Sequence, residues 1–432
     1  MLWKVLVSMV VVGSVGFGFS GLGWADTSVD AMVRQVVSEK PEESESAIAS
    51  LRHEGEKGWA EVLAVYGKEL DNPKIRLVLD RICQQRDCYA SQLFWYTDLE
   101  EAKAAAKASG KPILSLRLLG NLDRDLSCAN SRFFRVVLYP NTEVSQVLRD
   151  KFILHWESVR PVPKVTIDFG DGRQLERTIT GNSIHYILDG DGRIIDALPG
   201  LYGPQAFLRE LAQAETATKE TNKLPAGERD NYLRQYYRDR LATIQANWKQ
   251  DLSTLGITPP NQLLEIPSNI PTAAEASQRA ISKMYVENPL LTAITGNQTT
   301  LTNATNETAW TKLAQLHNQD AKIDNNSQNL MRNKNPQAYN ITGKNITPGS
   351  PQDPLVSIIN KFQSLIALDT VKNQYLLQPQ IYTWLLELPN QNINNFNELV
   401  YTQLFLTPST DPWLGLLPSD SYSAIENEGI TQ

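Results

Sequence analysis

The sequence predicts a mixed α/β centre held between two helical regions, and three observations carry this. Residues 112–119 read Pro-Ile-Leu-Ser-Leu-Arg-Leu-Leu, a nearly continuous apolar run of the kind found in a central strand buried on both faces. Residues 184–188 and 194–198 are two further apolar runs, joined by Asp189-Gly190-Asp191-Gly192, a hairpin turn rich in residues that tolerate positive φ. On either side of this region the apolar residues recur at three- and four-residue steps instead, which is the helical period.

Composition bounds what the chain can do. It has 432 residues, 41 Lys+Arg against 48 Asp+Glu, a net charge of −7 and 41% hydrophobic content. At about 150 residues per domain this suggests two to four domains, with cores that need no metal or disulfide staple. The acidic balance argues against a nucleic-acid partner, which requires a basic face. A mean hydropathy of −0.32 argues against a polytopic membrane protein. Three Cys and four His leave little material for a zinc or iron–sulfur site, and no cofactor motif is visible.

The elements follow in order. Residues 1–25 carry Lys4, an apolar run over 5–19 and the small-residue end Gly23-Trp24-Ala25, the pattern of a secretory signal peptide. The run falls short of the roughly 20 residues that span a bilayer. The mature chain is therefore expected in an exported setting, periplasmic or secreted. The alternative is an uncleaved N-terminal anchor, the only route by which this sequence predicts membrane attachment.

Residues 26–90 read as three or four short amphipathic helices, with Val36, Leu51, Val62, Leu79 and Ile82 among the apolar positions. Asp71-Asn72-Pro73 punctuates them, the proline suiting the first turn of the last helix. Cys83 and Cys88 lie five apart. In an oxidising compartment they are the natural disulfide, provided the helix ends near Gln84; three reduced, buried cysteines are the other reading. Cys128 is then the odd thiol.

Residues 91–214 form the α/β part. Thr97 is expected to cap a helix running to Ala108, and the strand over 112–119 comes next. Helices near 132–139 and over 142–150 precede a strand over 152–157. Residues 164–180 read as an extra hairpin turning at Gly170-Asp171-Gly172. The 184–198 hairpin and a helix over 204–213 close the unit.

This order of elements resembles the thioredoxin-like superfamily, and exported members with a Pro-Glu-Val segment after the redox helix are the nearest likeness. In those, the second cysteine of Cys-x-x-Cys lies thirteen residues before that valine. Counting back thirteen from Val144 in Asn141-Thr142-Glu143-Val144 reaches Ser131, and the first cysteine falls on Cys128, giving Cys128-Ala129-Asn130-Ser131. The resemblance covers about 120 residues and departs from the pattern in three places. Ser131 replaces the resolving cysteine. The cis-proline position falls near Asn182-Ser183, where no proline stands. The loop over 120–127 is longer and more charged than the family's.

The resemblance implies a thiolate at a helix start, favoured by unpaired backbone N–H groups. Arg124 and Arg132 add to that field; Asp123 and Asp125 oppose it. Without a resolving partner such a thiol can exchange disulfides but cannot complete a dithiol cycle. Two functions follow. The first is a non-catalytic interaction or assembly module for a protein partner in the cell envelope or outside the cell. The alternative is a monothiol exchange or isomerase-type factor, with Cys128 as nucleophile and Ser131 donating to its thiolate. His185, two residues beyond the position opposite the thiol and so on the same strand face, is the candidate base. His155 lies in another predicted core strand, and His53 and His317 have no partner at ligand spacing. Asp168–Gly172 and Asp189–Gly192 read as turns rather than calcium loops.

Residues 215–255 are expected to be a polar connector and then a long helix with Leu233, Tyr237, Leu241, Ile244, Trp248 and Leu252 on one stripe. From 256 to 432 the composition shifts: 23 of the last 172 residues are charged, against 66 of the first 260. A mainly helical C-terminal domain is expected, with helices over 355–368, 369–377, 380–388 and 393–406 and an Asn-rich loop over 322–354. Sequons occur at Asn297, Asn303, Asn306, Asn325, Asn340 and Asn345, as an Asn/Thr-rich composition generates by chance. Trp413, Leu414 and Leu416 are too apolar to float free and are expected to dock on the helices.

Overall fold

A computed structural model describes residues 29–257, 307–334, 350, 353–389 and 391–411. The signal-peptide expectation, the 413–416 docking segment and five of the six sequons lie outside them.

The N-terminal helices are α1 (Val29–Gln35), α2 (Pro41–His53), α3 (Glu56–Tyr66) and α4 (Pro73–Cys83). Their apolar positions enclose a separate small core containing Val36, Leu51, Trp59, Val62, Leu79 and Ile82. Asn72 caps α4 by accepting the Lys74 N–H, and Gln84 ends it in the left-handed conformation at φ 55°. That reversal brings Cys83 and Cys88 together as a disulfide with Cα atoms 6.7 Å apart. A straight helix could not do so.

The centre runs α5 (Leu99–Ser109), β1 (Ile113–Leu119), α6 (Ala129–Phe133) continued by a wider π-turn over Phe134–Leu138, α7 (Thr142–Lys151), β2 (Ile153–Arg160), the hairpin β3 (Lys164–Asp168) and β4 (Gln174–Thr178), β5 (Ser183–Leu188), β6 (Ile194–Pro199) and α8 (Pro204–Lys223). α5 is capped by Asp98, which accepts from Glu100 and Glu101 N–H, and not by Thr97. The carboxylate one residue further on reaches two orphan donors where the hydroxyl would reach one. β1 is buried along its whole length, as its apolar run requires. It pairs parallel with β2 and antiparallel with β5, and β5 pairs antiparallel with β6. The result is a mixed four-stranded sheet of order β2-β1-β5-β6, with β3-β4 as a second, two-stranded sheet.

Helices flank both faces of the four-stranded sheet. His185 on β5 meets Phe134 and Phe207, so that face lies under α6 and α8. Tyr186, on the opposite face, meets Phe396 of α14 (Ile393–Leu399). α9 (Ala226–Thr254) buries Leu233, Tyr237, Ile244, Trp248 and Leu252 along its expected stripe.

Two expected loops are helical. α8 continues through 214–223, where a polar connector was expected, because Thr218 and Thr221 bond back to the carbonyls of Ala214 and Ala217 and are buried. The start of the Asn-rich segment is α11 (Asn325–Lys334), which follows α10 (Glu307–Leu316). Tertiary bonds hold this weak helix former: Asn326 Nδ2 donates to Ala90 O and Pro140 O, and Ser327 Oγ to Val137 O. α12 (Pro354–Lys372) and α13 (Gln378–Glu387) form one helical path through a π-turn at Asn373–Leu377, without the expected break at 368.

The core of the sheet continues without interruption into the C-terminal helices. One buried cluster includes Leu114 and Ile187 of the sheet, Trp248 of α9, Ile366 of α12 and Phe396 of α14. Residues 91–214, 215–255 and the described part of 256–432, distinct by composition, thus pack around a single core. A buried polar network fastens them together. Asp196 on β6 accepts from Tyr382 Oη at 2.9 Å and from Tyr236 Oη, and Arg240 on α9 reaches Tyr382 Oη at 2.9 Å, Gln213 and Glu210. Burial pushes the Asp196 carboxyl up to about 6 despite Arg240 nearby.

Candidate functional site

Cys128 stands where the chain leaves β1 and enters α6. Gly120, at φ +73°, turns the chain out of the strand; a Cβ there would lie 2.9 Å from Val162 Cγ1. Ser127 O then anchors the end of the 120–127 loop, accepting from Arg132 Nη1 at 2.6 Å and Thr178 Oγ1 at 2.8 Å. Cys128 is the N-cap of α6, with φ −60° and ψ 162°, and its Sγ accepts the backbone N–H of Ser131 at 3.4 Å. The bond expected from the Ser131 side chain thus comes from its main chain. The Ser131 hydroxyl is buried and has no hydrogen-bond partner.

The loop before β5 lies directly on this helix start. Asn130 Nδ2 donates to Ser183 Oγ at 2.6 Å. Gly181 packs so closely that a Cβ would stand 2.9 Å from Ala129 N and 3.3 Å from Asn130 N. The structure therefore brings Cys128, Ser131, Asn182 and Ser183 together. Among the described residues no peptide bond is cis.

His185, on the same strand as Ser183, is bonded to Tyr139. Its Nε2 meets Tyr139 Oη at 2.8 Å, its Nδ1 has no partner, and Phe134 and Phe207 flank the ring. Desolvation alone pushes it down to about 3, so it is neutral near pH 7 and a poor proton acceptor. His155, bonded through Nδ1 to Ser115 Oγ at 2.8 Å, is likewise pushed down to about 3, by burial and then by Arg117.

The C-terminal segment closes the site. Tyr401 Oη donates to Asn182 O at 3.1 Å and lies within 3.3 Å of Arg117 O. Asn182 Nδ2 reaches Thr407 Oγ1 at 3.1 Å. Arg160, at the end of β2, grips the segment through three carbonyls, those of Thr407, Pro408 and Asp411, each at 3.0 Å. Beneath this cover Cys128, Ser131 and Ser183 are fully buried. A thiol so enclosed has no path to a second sulfur without local opening.

Sequence reasoning also missed a charge cluster on the other side of the loop. Arg135 is buried and pairs with Asp87 at 3.2 Å, while Lys334 of α11 bridges Asp87 at 2.6 Å and Asp125 at 3.2 Å. Arg86 joins it through Asp80 and Asp125 and donates its main-chain N–H to Leu122 O at 3.1 Å. The charged excess of the 120–127 loop, read against the family pattern as a departure, is the available signal: its Asp125 pairs with Arg86 of the disulfide loop.

Among the described residues Asp80, Cys83 and Cys88 are the one group close enough to hold a metal ion, and the disulfide removes both thiolates from it. Asp189 Oδ1 accepts from Asp191 and Arg193 N–H, and Asp168 Oδ1 from Gly170 N–H, so both segments are turns closed by their own carboxylates. No described helix is long and apolar enough to cross a membrane. No family model, curated protein or solved structure matches the chain.

Proposed function

We propose that the chain is an exported protein whose centre is thioredoxin-like and which acts as a non-catalytic interaction or assembly module for a protein partner. The strand order β2-β1-β5-β6, with one parallel and two antiparallel pairings and the cysteine at the helix after β1, supports the thioredoxin-like reading. The absence of a resolving cysteine in Cys128-Ala129-Asn130-Ser131 supports a role other than dithiol redox chemistry.

One observation carries the choice between module and exchange factor. Cys128 is buried completely under a segment held by Arg160, Asn182 and Tyr401, whereas reactive cysteines sit in partially exposed surroundings. The test is iodoacetamide labelling of the native chain across pH 6–10, alongside the urea-unfolded chain, with a pull-down of the native protein and of Cys128→Ser. The expected result is labelling at least a hundredfold slower than in urea and the same partners for both forms. Fast native labelling with an apparent pKa well below about 8.5, and partners lost with Cys128→Ser, would establish monothiol exchange instead.

A further inference from the structure

We infer that the outer edge of β3 is a self-pairing surface, through which two copies of the chain join their β3–β4 hairpins into one four-stranded antiparallel sheet. Among the described residues β3 has only β4 as a strand neighbour. The phase of that pairing is set by two flanking bonds, Ile179 N–H to Pro163 O and Phe169 N–H to Arg173 O, both 3.1 Å. Odd-numbered positions therefore exchange their main-chain bonds with β4, and Lys164, Thr166 and Asp168 direct theirs outward. The same three residues are solvent-exposed, while Val165 and Ile167 are partly covered.

A second copy is the occupant because the edge is complementary to itself. Place a two-fold axis through Thr166 with the strands antiparallel. Thr166 then faces Thr166, and Lys164 faces Asp168 at both ends, so all three outward pairs exchange main-chain bonds and two opposite-charge pairs form on one face. On the other face Val165 lies opposite Ile167, in the closer, non-bonded pairing. A lysine on an exposed edge ordinarily repels a second strand. Here the antiparallel register neutralises it, and the parallel one, which sets Lys164 on Lys164 and Asp168 on Asp168, is the arrangement repelled. Shifting the antiparallel register by two residues leaves charges unpaired. Five residues per copy bury less than the roughly 1,200 Å² of a stable interface, so the dimer is a weak, concentration-dependent one.

Sedimentation velocity of the full chain from about 10 to 500 µM tests this range of weak interfaces. The expected result is a monomer–dimer equilibrium that Lys164→Glu weakens at least tenfold and Lys164→Arg leaves unchanged. Thr166→Pro removes only an outward N–H, so it should abolish the dimer with the circular dichroism spectrum intact. Thr166→Cys, on the axis, should form an intermolecular disulfide between the two copies under mild oxidation, and Glu176→Cys on β4 should not. A monomer at every concentration, or a dimer indifferent to Thr166→Pro, overturns the inference. So does slow hydrogen exchange at the Thr166 amide in dilute monomer, which would mean another part of the chain already covers this edge.

Discussion

Replacing Arg160 by alanine should unseal Cys128 without unfolding the protein. The guanidinium donates to the carbonyls of Thr407, Pro408 and Asp411, each at 3.0 Å, and these fasten the segment over Asn182 and the thiol. Hydrogen bonds from a charged donor contribute about 1.5–3 kcal/mol where desolvated, less where water competes, and three on one side chain are not additive. Arg160 is half-buried, so about 2–3 kcal/mol of closing energy is a reasonable total for the group. If labelling requires that segment to lift, losing this energy raises the open population roughly 30- to 150-fold. Pseudo-first-order labelling of Cys128 by iodoacetamide reads that factor directly, with Arg160→Lys as an intermediate case, since one ammonium cannot span three carbonyls. An unchanged rate in Arg160→Ala would refute the reasoning, because the thiol would then be sealed by something other than these contacts. A rate matching the unfolded chain with a collapsed melting transition would refute it differently, by showing that the grip is global.

Three further outcomes are expected. His317 is raised from 6.5 to about 9 by bonds to Asp251 and then Asp320, so its stabilising charge is fully present below pH 6.5 and lost as pH rises through 9; after screening this is about 1–2 kcal/mol in denaturant melts, and His317→Asn should flatten that slope. Gly181→Ala should destabilise the chain by about 1–3 kcal/mol in urea melts through overpacking, since its φ is not in the left-handed region and a methyl group would meet Ala129 N at 2.9 Å and Ala129 Cβ and Asn130 N at 3.3 Å. Reducing the Cys83–Cys88 bond, which closes a loop five residues apart in sequence, should cost about 2 kcal/mol of loop-closure entropy, read as a lower melting temperature.

Local signals in the sequence located most strands and helices, because each depends on periodicity and caps within a few residues. The run over 112–119 read as a doubly buried strand from its nearly continuous apolar character, and a disulfide between Cys83 and Cys88 required the helix to end near Gln84, where the reversal is found. Cys128 at a helix start followed from the family resemblance, counted back from Val144, and not from any local periodicity. What stayed hidden depends on partners hundreds of residues away. The helix Asn325–Lys334 has poor intrinsic propensity and forms because Ala90, Val137 and Pro140 supply acceptors for its side chains. Asp196, Glu210 and Arg240 are far apart in the sequence and become a network only where β6, α8, α9 and α13 converge. The cover over Cys128 was illegible for the same reason, since nothing in residues 400–411 announces Arg160 or Asn182 as its ligands.

The loop at 120–127 and the loop at 181–183 are where these distant parts meet. The N-terminal helices reach the first through Arg86, Asp87 and the disulfide loop, and α11 reaches it through Lys334. The C-terminal segment reaches the second through Tyr401 and Thr407. Such convergence is costly if the site must open for each turnover, because every opening breaks contacts from both ends of the chain. It suits a junction whose role is to fix the relative placement of the helical parts, with Cys128 serving as a compact N-cap between them. The same contacts make the arrangement testable from either end. Loosening the Arg135–Asp87 pair should speed labelling of Cys128 only if the N-terminal helices help to hold the loop shut, whereas Arg160→Ala acts on the C-terminal cover alone.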